Sequence, residues 1–120
     1  MKKEDITEYC YALRLKDITL GFLSILNRFE DYYQENTNPP DHDKVLSWIL
    51  GSLLSQINEI ISNKEKHPDI LEVYNALEDL INFINELGEN IDFKVLQEKV
   101  REISIKNMNN LAKLSEKNDL

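Results

Sequence analysis

Apolar residues recur every three or four positions along most of this chain, with polar residues between them, and strand-type alternation is absent. That spacing predicts helices. The first runs from about Asp5 to Glu35, with Tyr11, Leu15, Ile18, Phe22, Ile25, Leu26, Phe29 and Tyr33 on one face. Asp5 and Glu8 stand at the spacing of a capping box. At about 46 Å the helix would outrun its neighbours. A break near Lys16–Asp17, with Asp17 capping a second segment, would cure the mismatch.

Asn36-Thr37-Asn38-Pro39-Pro40 is a stop and turn. Helix two follows from Asp41 to about Asn63, with Leu46, Ile49, Leu50, Leu53, Leu54, Ile57, Ile60 and Ile61 on one broad face. After a connection ending at Pro68, Asp69 and Glu72 form another capping-box pattern. Ile70, Val73, Tyr74, Leu77, Leu80, Ile81, Ile84 and Leu87 then face inward along helix three, and Gly88 suits the left-handed position past its end. Asp92 caps helix four, with Ile91 and Leu96 at the spacing of a hydrophobic staple. Its stripe is Leu96, Val100, Ile103, Leu111 and Leu114.

Asn107 falls on that stripe, where a buried amide would fix register. The simpler expectation is fraying after Ser104, because Asn107, Asn109 and Asn110 are weak helix formers. Ser115–Leu120 is expected to be a disordered tail. Short connections between helices favour antiparallel neighbours, so residues 1–114 are predicted to form one all-α domain, an antiparallel four-helix bundle.

Two surfaces do not fit a lone bundle. On helix two, Ser47, Gly51 and Ser55 recur every four residues, and Trp48 lies nearly opposite the aliphatic face. On helix one, Tyr9, Leu13 and Leu20 point away from the main apolar face. Either these three cover the small-residue strip within one molecule, or both sets meet a partner or a second copy. Both arrangements predict that Leu13, Leu20 and Trp48 are less exposed than their helical phase suggests.

Charge adds a third surface. The chain has 120 residues and a formal net charge of −8. Between His67 and Phe93 stand Asp69, Glu72, Glu78, Asp79, Glu86, Glu89 and Asp92, with no Lys or Arg. Glu72, Asp79 and Glu86 are heptad-spaced and stack as a ridge, flanked by Glu78. Such a ridge attracts basic protein and repels nucleic acid. Its bland reading is a solvated face, partly answered by the mildly basic segment after residue 92. A second patch groups Glu30, Asp31 and Glu35 with Tyr32 and Tyr33 as contact aromatics.

Candidate chemistry changes this picture little. The residues three before His42 and His67 are Pro39 and Lys64, so the Glu-x-x-His pairs of a dinuclear bundle are missing. Asp41-His42-Asp43 lacks further ligands, and helix capping explains its acids. Gly21, Gly51 and Gly88 are isolated, so there is no phosphate loop. Cys10, the only cysteine, has no His near it in sequence and reads as a buried, inert thiol. It also points to a reducing compartment. Lys2 and Lys3 are followed by acids and no apolar run, unlike a signal peptide, and no stretch approaches a membrane span.

No enzyme, cofactor or metal site is expected, and a small helical enzyme or metal protein is the remote third reading. The expected role is a cytoplasmic, non-catalytic interaction module that binds a basic protein partner, such as a toxin or nucleic-acid enzyme, in the manner of an inhibitor or immunity protein. It would touch neither nucleic acid nor membrane. The alternative is a homodimeric structural or adaptor bundle joined through Trp48, Ser47, Gly51 and Ser55.

Overall fold

Each stretch of helical periodicity becomes one helix in the computed structural model, which describes residues 3–35, 42–60, 64–88 and 91–118. They are α1 (Lys3–Glu35), α2 (His42–Ile60), α3 (Pro68–Leu87) and α4 (Phe93–Asn118), with one 3-10 turn at Lys64–Lys66. Among the described residues there is no strand.

Side-chain bonds between helices fix their directions. The amide of Gln97, early in α4, donates to Asn27 Oδ1 (2.8 Å) and Glu30 Oε2 (2.7 Å), late in α1. Asn107, further along α4, donates to the carbonyl of Ala12, early in α1, at 2.8 Å. Those helices are therefore antiparallel. Ser47 bonds Asn85 (2.6 Å) and the Tyr74 hydroxyl reaches the Leu54 carbonyl (3.5 Å), so α2 and α3 are antiparallel too. Asn110 Nδ2 donates to the Asp69 carbonyl at 3.4 Å, which sets α4 against α3. The result is an antiparallel four-helix bundle measuring 55 × 23 × 17 Å.

Its core takes one stripe from every helix: Leu15, Phe22 and Leu26 from α1; Leu46 and Leu50 from α2; Ile70, Leu77 and Ile84 from α3; Leu96 and Val100 from α4. These are all fully buried. Tyr11, Ile25 and Phe29 pack half-buried at the margin of the same face.

Helix α1 is continuous through Lys16–Asp17, so the break that its length allowed is not taken. The physical reason is α4. At 26 residues, about 39 Å, it is long enough to accompany the 33 residues of α1 for most of their course. Leu15 and Ile18 are buried on either side of the junction. Thr19 is buried there as well, its hydroxyl donating to the Lys16 carbonyl at 3.0 Å.

Several helix ends depart from expectation. Asp5 lies inside α1, which starts at Lys3. At α3 the capping box does not form. Pro68 opens the helix, where its fixed φ is already helical and its missing N–H costs nothing. Glu72 turns instead to Lys106 of α4. Asp92 caps α4 as its position suggested, accepting from the N–H groups of Lys94 (3.0 Å) and Val95 (3.4 Å). Gly88 ends α3 at φ 56°, a conformation that disfavours any Cβ.

The largest departure is in α4. It neither frays after Ser104 nor stops at Ser115: residues 115–118 are its last turn, not part of a tail. Gln97, Ser104, Asn107 and Asn110 are buried along it, each at a position facing α1 or α3. Asn107 is fully enclosed, and its Oδ1 has no hydrogen-bond partner. A buried unpaired carbonyl costs about 1–3 kcal/mol. Ala12 O, in mid-helix, still accepts from its own helix when the amide is removed. Asn107→Leu is therefore expected to raise stability by about 1 kcal/mol, read as a higher urea midpoint at unchanged slope. A fall in the midpoint would show that the Ala12 contact outweighs the orphaned oxygen.

Candidate protein-binding surface

Charge is partitioned by helix. α3 holds five acids and no base, and α2 two acids and one base. α1 holds seven acids and four bases, whereas α4 holds six bases and three acids. The basic helix thus lies between two acidic ones, and its Lys106 pairs with Glu72 of α3.

That partition divides the expected ridge. Glu72, Asp79 and Glu86 are all exposed, as their heptad spacing required. Glu72 pairs with Lys106. Asp79 borders an open cleft of about 210 Å³ between α3 and α4, together with Phe83, Lys99 and Glu102. Lys99 Nζ sits 4.5 Å from the centre of the Phe83 ring. This flank of α3 is therefore screened by lysines of α4.

The other flank faces α2 and is different. Ser47, Gly51 and Ser55 share one stripe of α2, and the Ser47–Asn85 bond shows that this stripe borders α3. Trp48 projects just outside it, 72% exposed. Counted antiparallel from the Ser47–Asn85 bond, Trp48 stands level with Ile84, within about a turn of Glu86. Glu78 lies two turns earlier on α3, and both acids are exposed. At Gly51 the strip is uncrowded: a Cβ there would meet nothing within 4 Å. The field here is negative. Desolvation by burial raises the pKa of Tyr74, and the neighbouring charge of Glu78 raises it further.

Trp48 on α2 and the exposed Glu78 and Glu86 on α3 thus belong to one antiparallel helix pair, whereas the sequence separated tryptophan face and acidic ridge. The available signal was the antiparallel pairing of helices two and three, which sets the two stripes edge to edge.

Leu13 and Leu20 do not join it. They share the heptad stripe of Asn27, which bonds Gln97 of α4 and so borders that helix. The tryptophan face lies outside the α2–α3 pair and the leucines outside the α1–α4 pair, on opposite sides of the bundle. Cover of the small-residue strip by helix one is thereby overturned. Nor are the three hidden: Leu20 and Leu13 are exposed along with Trp48.

In the second patch Glu30 is half-buried against Gln97 and Asp31 is exposed, while the side chains of Tyr32, Tyr33 and Glu35 lie outside the described residues. Cys10 is exposed rather than buried, because it falls on the outer side of α1. His67 contacts Glu8 (3.3 Å) and the edge of Tyr11 (ring centres 5.8 Å apart), which ties the start of α3 to α1. The side chains of Asp41, His42 and Asp43 lie outside the described residues. Among those described, no group of three or more His, Cys, Asp or Glu could hold a metal. No described helix is long and apolar enough to cross a membrane.

No family model, curated protein or solved structure matches the chain.

Proposed function

We propose that this protein is a non-catalytic interaction module of the cytoplasm, an acidic helical bundle that binds a basic protein and neutralises or inhibits it. One observation carries the reading: the exposed Trp48 stands beside a helix with five carboxylates and no base. Tryptophan in a setting of small and polar residues is the usual anchor of a binding hot spot. Carboxylates around it steer a cationic partner and reject wrong ones. Toxins and enzymes that act on nucleic acid carry such cationic surfaces, since they must attract phosphate.

Charge also weighs against a homodimer through Trp48, Ser47, Gly51 and Ser55. That contact would oppose two copies of the α2–α3 face, each carrying the five acids and no base of α3.

The test is affinity capture from the native cell with the wild-type chain and with the Glu78→Lys/Asp79→Lys/Glu86→Lys variant, read by mass spectrometry. A basic protein held by the first and lost by the second is expected. The wild-type association rate should fall at least tenfold, or about that, as salt is raised through the physiological range. Equal capture by both chains would remove the acidic face from the account. The variant should remain folded, because all three side chains are exposed.

A further inference from the structure

We propose that the cleft between α3 and α4 receives an arginine side chain of the basic partner, in the place that Lys99 holds in the free chain. The inference rests on the reading of the partner as basic, and adds which group it inserts and where. The cleft holds about 210 Å³, less than the ~300–1,000 Å³ of a small-molecule site. It suits a single side chain. Leu80 and Phe83 of α3 and Ile103 of α4 give it apolar walls, and Asp79 and Glu102 line it from opposite helices. The Lys106–Glu72 and Lys99–Phe83 contacts run antiparallel, so Asp79 and Glu102 stand nearly level across the seam. Among the described residues neither carboxylate has an ion pair.

The molecule itself shows what the cleft takes. Lys99 Nζ lies 4.5 Å from the centre of the Phe83 ring, so a cation is already seated on the aromatic wall. An ammonium on a flexible stem makes that contact as a point charge and can leave it for water. A guanidinium is the better occupant. Its plane stacks on the ring, and its fork of donors spans carboxylates that one ammonium does not hold together. The cleft lies on the flank of α3 away from α2 and Trp48, with the exposed Asp79 at its edge. A partner anchored at Trp48 that places an arginine here therefore lies across α3.

Octa-arginine carrying a fluorophore, titrated by anisotropy at low salt, is the probe. Lys99→Gln should bind it about twofold to fivefold tighter than Lys94→Gln, which makes the same change of net charge at an exposed position outside the cleft. Phe83→Leu added to Lys99→Gln should cancel that gain. Where the ring substitution disturbs folding, Asp79→Asn with Glu102→Gln serves in its place. Amide shifts in a nitrogen-15 NMR titration of the wild type should centre on residues 79–83 and 99–103. Shifts confined to other faces, or equal affinities of the two glutamine variants, would overturn the cleft and leave the partner reading standing. A native cell that yields no basic protein on the wild-type chain would sink both.

Discussion

Phe22→Ala is expected to lower the unfolding free energy by about 3–5 kcal/mol. Phe22 is fully buried near the middle of α1, packed in one cluster with Leu15, Ile18 and Leu26 of its own helix and Val100 of α4. Removing the ring loses its transfer energy and leaves a cavity, and helices this tightly interlocked close on such a space only in part. The loss is a large share of the ~5–15 kcal/mol that holds a domain together. Urea unfolding followed by circular dichroism at 222 nm (the helical band) checks it, with the midpoint moving and the slope constant. Arg14→Ala, at an exposed position of the same helix, is the control and should cost under about 0.5 kcal/mol. Similar losses at both positions would mean that the stripe through Phe22 does not face the core.

The contrast between Phe22 and Arg14 shows what periodicity conveys. Leu15, Ile18, Phe22 and Leu26 recur at helical spacing and are buried for that reason; the same rule found Ile70, Val73, Leu77 and Ile84 on α3. Gly88 and Asp92 were legible because one residue's own geometry decides each. Features that depend on a second helix were not. Asn107 and Asn110 read as weak helix formers, and only the Ala12 and Asp69 carbonyls explain why α4 continues through them. A signal did exist: Gln97 and Ser104 form a heptad pair beside Val100, Asn107 and Leu114, and all five are buried. Amphipathic stripes state which way each helix faces. They do not state the order of helices around the bundle, and that order separates Trp48 from Leu13 and Leu20.

Trp48→Ala is expected to weaken capture of the basic partner by about 2–4 kcal/mol, roughly thirtyfold to a thousandfold in Kd. Its effect should fall on dissociation, since an aromatic anchor holds a complex after contact while carboxylates such as Glu78 and Glu86 act mainly on encounter. Stability should barely change, because a side chain 72% exposed contributes little packing to the bundle. Surface plasmon resonance with the partner captured above separates the two effects. Trp48→Ala should raise the off-rate at nearly constant on-rate. Glu78→Lys with Glu86→Lys should do the reverse, and their on-rate should lose most of its dependence on salt. An unchanged off-rate in Trp48→Ala would mean that the tryptophan lies outside the contact and that the carboxylates alone hold the partner. Such a complex would dissolve as salt rises, because charge without a desolvated anchor is screened. The small strip of Ser47, Gly51 and Ser55 distinguishes these cases once more. If a partner chain lies along it beside Trp48, a bulky residue at Gly51 excludes that chain, whereas in the free protein its Cβ stands in open space.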